Sequence, residues 1–285
     1  MENQIIQEQE LILLESANKQ PFSDGIFWLK HAWHLTKARF WRWMLISFIM
    51  NLCITVVSTA LTFSSDSLIL TNVAQILSGM LNVLFTGGLL LGMAALAEGD
   101  ELEVNHLFAA FQHKWQDLLI LILCFIPIVL LYILLMGGAF FALLGGGNIM
   151  SNDINTNSLI IFIIFFVLSY FFMMMVGFFS IPLVVLHDVK PLTAIKMSFS
   201  GSLKNIAPMI ALNLGFFVIG FGLAFILGIL FSLLSFALND SLAGITATIL
   251  TMVPLFIIMA LLLPILNAGV IYTAYRNVWT NLPIE

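Results

Sequence analysis

Charged side chains are scarce in this chain: they make up 9% of its 285 residues, against 61% that are hydrophobic. So few polar groups cannot coat a water-soluble body of this length, and the composition indicates an integral membrane protein. Cysteine is scarcer still. Cys53 and Cys124 both fall inside apolar runs, where a small soft side chain packs well, and no structural disulfide is expected. The first residues are Gln and Glu, where a secretory signal carries Lys or Arg before an unbroken apolar stretch, so the mature chain is expected to start near Met1.

Basic residues are missing from three of the connections between the long apolar runs. Lys19, Lys30, Lys37, Arg39 and Arg42 precede the first run, and Lys114 lies between the second and third. Lys190, Lys196 and Lys204 lie between the fourth and fifth, and Arg276 follows the sixth. The loops around Asp66, Asp153 and Asp240 carry none. The positive-inside rule therefore expects both termini and the two longer loops in the cytoplasm, with the three short loops outside. The net charge of −5 names no partner, because Glu2, Glu8, Glu10 and Glu15 crowd the N-terminus, and binding to nucleic acid is not expected.

Six stretches reach the roughly 20 apolar residues that a bilayer core requires: about residues 43–63, 68–97, 118–144, 158–186, 206–237 and 245–275. They are too long and too uniformly apolar for the alternating strands of a barrel, so helices are expected. Trp28, Trp33, Trp41, Trp43, Trp115 and Trp279 map to the basic side as a one-sided aromatic belt. Pro127, Pro182, Pro254 and Pro264 lie within spans and predict kinks, with neighbouring groups or Ser/Thr hydroxyls satisfying the freed carbonyls.

Before spans one, three and five, apolar residues recur at i, i+3, i+7: Ile26, Leu29, Trp33; Val104, Leu107, Phe111; Leu192, Ile195, Phe199. The offsets are 78 and 88 residues. Lys30, His34 and Lys37, then Asn105 and Gln112, then Lys196, Ser200 and Lys204 occupy the opposite faces, as on helices lying in the membrane interface. Ser23 or Asp24 can cap the first helix, Glu101 and Glu103 load the opening turn of the second, and Pro191 suits the start of the third. The fold class expected is all-α: a bundle of six transmembrane helices with three cytoplasmic interfacial amphipathic helices. It is organised as three parallel helix-plus-hairpin repeats over about 24–98, 101–187 and 190–276. A tail over residues 1–22 precedes one transmembrane domain over 23–285.

No Asp, Glu, Lys, Arg or His falls at mid-depth in a span, where ion pathways and proton relays place one. Span two instead carries Asn72, Gln75, Gly79, Asn82 and Thr86 at spacings of 3, 4, 3 and 4, a stripe expected to face the bundle. It joins helices by hydrogen bonds, or it lines a polar path or a lipid headgroup. Asn51, Asn213 and Asn267 are candidates to complete a polar cluster with it. Gly88 with Gly92, and Gly220 with Ala224 and Gly228, read as small-residue faces for close helix packing.

His31 with His34, His106 with His113, and His187 beside Asp188 fall short of the three or four converging ligands of a zinc site, so no metal is expected. Asp188 and Glu98 end spans at equivalent places and read as caps for the following short helix. Gly145, Gly146 and Gly147 lack the Lys and Ser/Thr of a phosphate loop, no nucleophile has a base beside it, and neither a cofactor nor enzymatic activity is expected.

The segments GIFWLKHAWHLTKARFWRWML, LEVNHLFAAFQHKWQDLLIL and KPLTAIKMSFSGSLKNIAPMI, each leading into a hairpin, resemble an uncharacterised family of bacterial inner-membrane proteins. The likeness runs from about residue 24 over most of the chain. The layout is similar to the membrane domain of some glycerophosphodiester phosphodiesterases, without an appended catalytic domain. The resemblance implies a six-helix protein of the bacterial cytoplasmic membrane and carries over no functional residue.

The function expected is a non-catalytic module that contacts membrane lipids or another membrane protein. Its headgroup or partner contacts are expected at Lys30, Trp33, Lys37, Arg39, Lys196, Phe199 and Lys204. The alternative is a small permease or lipid transporter using Asn72, Gln75, Asn82, Asn213 and Asn267.

Overall fold

A computed structural model describes residues 11–63, 67–144, 155–238 and 242–284. The expected outward loops at Asp66, Asp153 and Asp240, the glycine triplet 145–147, and Glu2, Glu8 and Glu10 lie outside the described residues. The helices run in the order α1 (Asp24–Ala38), α2 (Phe40–Thr62), α3 (Leu68–Ala97), α4 (His106–His113), α5 (Trp115–Leu144) and α6 (Thr156–Gly177). They continue as α7 (Ser180–His187), α8 (Pro191–Lys204), α9 (Ile206–Leu238) and α10 (Leu242–Trp279). Among the described residues, six helical spans are long and apolar enough to cross a membrane: Phe40–Thr62, Leu68–Ala97, Trp115–Leu143, Thr156–His187, Ile206–Leu233 and Ile249–Trp279. These are the six runs of the sequence, each within a few residues, and the molecule is an all-α membrane protein.

The described residues form two compact units. One comprises residues up to Cys53, Leu89–Leu107 and the chain from Lys204 onward; the other comprises Ile54–Gly88 and Phe108–Leu203.

In the first unit α1 is packed into the protein. A Cβ added to Gly269 of α10 would stand 3.0 Å from the Cβ of Ala32, and one added to Gly25 would run into the carbonyl of Pro208 and the amide of Leu212 on α9. The buried face of α1 is Gly25, Trp28, Ala32, Leu35 and Thr36. Ile26 and Leu29, on the expected face, reach α9 beside Gly215, while Trp33 remains 45% exposed. Ser23 does not cap α1 through its side chain; its hydroxyl turns to the Asp24 carboxylate at 3.4 Å. Trp43 is fully buried, donates from Nε1 to the Leu35 carbonyl at 3.3 Å, and lies against Gly92.

Residues 11–20 of this unit are held rather than trailing. Leu14 and Asn18 donate backbone N–H groups to the carbonyls of Trp279 and Val278, and the Gln20 amide donates to that of Asn277 at 2.6 Å. The strap thereby closes three of the carbonyls that a helix C-terminus leaves open. Asn205 fastens its other edge, accepting from the Gln20 N–H and donating to the Asn18 carbonyl.

In the second unit, Phe85 of α3 packs among Phe108 and Phe111 of α4, with ring centroids 5.9 and 4.9 Å away. Gly87 sits where a Cβ would come within 3.1 Å of Ala110. Span four breaks between α6 and α7. Pro182 there lacks the N–H that would serve the carbonyl four residues back. Ser198 of α8 bridges the break, accepting from the Phe179 N–H and donating to the Met175 carbonyl, each at 2.9 Å. The carbonyl that Pro182 itself leaves open is that of Phe178, so Ser198 fastens the break in the span but is not the expected partner of the proline-freed carbonyl. Pro127, Pro254 and Pro264 sit inside continuous helices.

Candidate functional site

The cations divide into two groups. Arg42 pairs with Glu101 at 3.3 Å and donates to the Leu102 carbonyl; Lys114 pairs with Asp188; Lys204 donates to the Ala17 carbonyl of the strap at 2.6 Å. Arg276 bonds the Tyr272 hydroxyl and the Leu282 carbonyl. These groups tie the fold together. Lys19, Lys30, Lys37, Arg39, Lys190 and Lys196 are exposed and make no ion pair with a described carboxylate. Of the expected headgroup residues, Lys204 therefore acts as a fastening. Phe199 is half-buried against Phe172, with ring centroids 5.8 Å apart, and Trp33 stands open beside Lys30 and Lys37.

The tryptophans divide likewise. Trp28, Trp43 and Trp279 are fully buried core residues, whereas Trp33, Trp41 and Trp115 are exposed. Among the described residues the indole N–H groups of Trp28 and Trp279 find no partner, and these two buried rings serve packing rather than an interfacial anchor.

The polar stripe of α3 lies differently from the sequence expectation. Asn72, Gln75, Gly79 and Asn82 are exposed, and the residues of that stretch turned inward are Ala74 and Phe85. No hydrogen bond links the Asn72, Gln75 or Asn82 side chains to another described residue, and a Cβ on Gly79 would meet nothing within 4 Å. The stripe does not face a packed bundle. An amide without a partner in an apolar surround costs about 1–3 kcal/mol by mutational measure, so each is a demand on whatever covers it. Asn51 and Asn213 bond the carbonyls four residues back on their own helices, those of Ser47 and Met209, and Asn267 is exposed.

The two small-residue faces also part company. Gly92 is a close approach, with Trp43 and Leu102 within 3.2 Å of an added Cβ. A Cβ added to Gly220 or Gly228 would meet no described atom within 4 Å, and both glycines border an apolar crevice between α9 and α10. The part of the crevice under α1 holds about 340 Å³, bordered by Leu29 and Trp33; the part farther along holds about 530 Å³. A third apolar crevice, of about 510 Å³, lies between α5 and α6. None is lined by Asn72, Gln75 or Asn82.

His106 and His31 are held within the fold. His106 accepts the Glu103 N–H at its Nδ1, 3.0 Å away, closing the start of α4, so the helix begins at His106 and leaves Val104 in a turn. His31 lies between Phe27 and His34, with ring centroids 5.9 and 6.0 Å away. Its pKa is lowered from the ordinary 6.5, first by burial and then by the charges of His34 and Arg276. Among the described residues no three His, Cys, Asp or Glu side chains converge as metal ligands. Asp188 ends α7 in a left-handed conformation (φ 55°) and turns its carboxylate to Lys114, so it closes one helix and joins two others rather than capping α8. No family model, curated protein or solved structure matches this chain.

Proposed function

We propose that this is a non-catalytic module of the bacterial cytoplasmic membrane, with both termini inside, that contacts anionic lipid headgroups through the short helices at its basic end. The observation that carries this reading is the exposed set Lys30, Lys37, Arg39 and Lys196, which pairs with no described carboxylate, beside cations that the fold uses for itself. Each such lysine near a negatively charged leaflet contributes about 1 kcal/mol of attraction. A partner membrane protein with an acidic juxtamembrane face would be held by the same groups.

The threefold repeat is part of this proposal. Ala32, Ala110 and Ser198 are each 0% exposed on their short helices and are separated by the same 78 and 88 residues as the apolar triplets. Ala32 meets Gly269, Ala110 meets Gly87, and Ser198 bonds the backbone on either side of Gly177. A small residue seated on the closing span of a hairpin thus recurs in each unit.

The test is flotation with liposomes of phosphatidylglycerol or phosphatidylcholine, using soluble fusions of residues 11–40 and 188–206. The wild-type segments should favour the anionic liposomes several-fold, and Lys30→Glu with Lys37→Glu in the first segment should abolish that preference. Equal partition of wild type and variant would end the reading.

A second reading, a small permease or lipid transporter, is supported by the exposed amides of Asn72, Gln75 and Asn82. It expects Asn82→Leu to reduce solute or lipid passage in proteoliposomes while leaving assembly intact. Unchanged passage would remove it.

A further inference from the structure

The two parts of the crevice between α9 and α10 share Gly220 and Met259, so they adjoin end to end within a single compact unit. The crevice runs along α9 from Phe216 to Phe231, fifteen residues, or about 22 Å at the helical rise. Its walls are hydrocarbon over the whole length, from Leu29 and Trp33 at one end to Ile249 and Phe231 at the other. The glycines create the space: a side chain at Gly220 or Gly228 would project into the crevice without touching the protein.

The geometry points to a binding site for one acyl chain of an anionic phospholipid, laid in this crevice with its headgroup against Lys30 and Lys37. A chain of one leaflet must cover about 15 Å, half of a core about 30 Å thick, and the crevice is long enough to receive all of it. An acyl chain is the occupant whose length matches the crevice; a helix docked there instead would leave the wild-type protein with no retained lipid.

The mouth carries the matching charge. Lys30 and Lys37 stand three residues before and four residues after Trp33, about 60° and 40° round α1 from it at roughly 100° per residue, and both are exposed. They flank it rather than occupying the opposite face that the sequence pattern suggested. Asp24, the one carboxylate of α1, lies about 180° round the helix from Trp33 at roughly 100° per residue. A phosphate held at the two lysines thus meets no acidic group of that helix, and the Trp33 ring stands where glycerol and chain meet. The site rests on the headgroup reading for its choice of lipid but not for its existence, since chain and headgroup contacts come from different residues.

Native mass spectrometry of the full-length protein, released from detergent after addition of phosphatidylglycerol or phosphatidylcholine, separates the two. Wild type should retain one phosphatidylglycerol per chain, in preference to phosphatidylcholine. Gly220→Leu with Gly228→Leu should reduce retention of either lipid at least tenfold. Gly222→Leu, an equally open glycine outside these crevice linings, should leave retention unchanged and show that leucine on α9 does not impair folding. Lys30→Glu with Lys37→Glu should keep the chain but lose the preference for phosphatidylglycerol. Undiminished retention in the double-leucine protein, or no retained lipid in wild type, would overturn the crevice site and leave the headgroup reading standing. Loss on filling the crevice, with no effect of lysine reversal, would keep a chain site and overturn its assignment to an anionic lipid.

Discussion

Gly25 and Gly222 show how differently the same residue can be used at helical φ. A Cβ on Gly25 collides with α9 backbone that has no room to move, while one on Gly222 meets open space. Gly25→Ala should therefore destabilise by about 1–3 kcal/mol through overpacking. Gly222→Ala should stabilise by about 0.5–1 kcal/mol, because alanine loses less chain entropy in a helix than glycine. Thermal unfolding of the purified proteins should show shifts of opposite sign. Ser198→Ala leaves the Phe179 N–H and the Met175 carbonyl without their partner at the break in span four. It should cost about 1–3 kcal/mol, while Ser200→Ala, at an exposed position, should cost little.

His31 gives a pH dependence of definite sign. Its folded-state pKa lies below 6.5, so the unfolded chain binds the proton more tightly, and stability rises with pH through the region just below 6.5. Unfolding temperature should fall as the pH is lowered from 7.5 to 5.5, and His31→Gln should fall less. An equal fall in both would exclude His31 as a cause. The imidazole of His34 and the guanidinium of Arg276 act on the same ring, so Arg276→Met should raise the His31 pKa.

The spans were legible in the sequence because bilayer thickness fixes the length of an apolar run, and nothing else in the chain competes with that signal. The short helices were legible in position but not in face. Counting apolar residues selects Ile26, Leu29 and Trp33, whereas the buried face is Gly25, Trp28, Ala32, Leu35 and Thr36. Close approach of backbones needs small residues, and glycine, alanine and threonine contribute little to an apolar period.

The strap over residues 11–20 left no trace in the sequence pattern. It is held by backbone groups and by amide side chains far away along the chain, an arrangement with no periodicity. Asn205→Ala removes the acceptor of the Gln20 N–H and the donor to the Asn18 carbonyl. Hydrogen exchange of Leu14 and Asn18 should accelerate at least tenfold in that variant, with α9 unaffected. Exchange as slow as in wild type would show that the bonds to α10 hold the strap alone.

For the whole molecule, the basic residues at one set of helix ends carry both the proposed orientation and the proposed lipid contact. Arg42, Lys114, Lys204 and Arg276 are engaged within the fold, and Lys30, Lys37, Arg39 and Lys196 remain exposed. Chain order puts the exposed cations at the start of α2 and of α9 and the acidic connections at the opposite ends, so one leaflet must receive them all if every span crosses. The sequence could rank the cations by position only. Which were already engaged depended on the partners Glu101, Asp188 and Ala17, and no local pattern announces those.

Single cysteines at Ser23, Ser200 and Asp153, introduced after replacement of Cys53 and Cys124 by serine, test this most directly with a membrane-impermeant maleimide. Intact cells should label the Asp153 position alone, and the Ser23 and Ser200 positions should react only after the membrane is opened. Labelling of Ser23 or Ser200 on intact cells, or protection of Asp153 until lysis, would contradict the account.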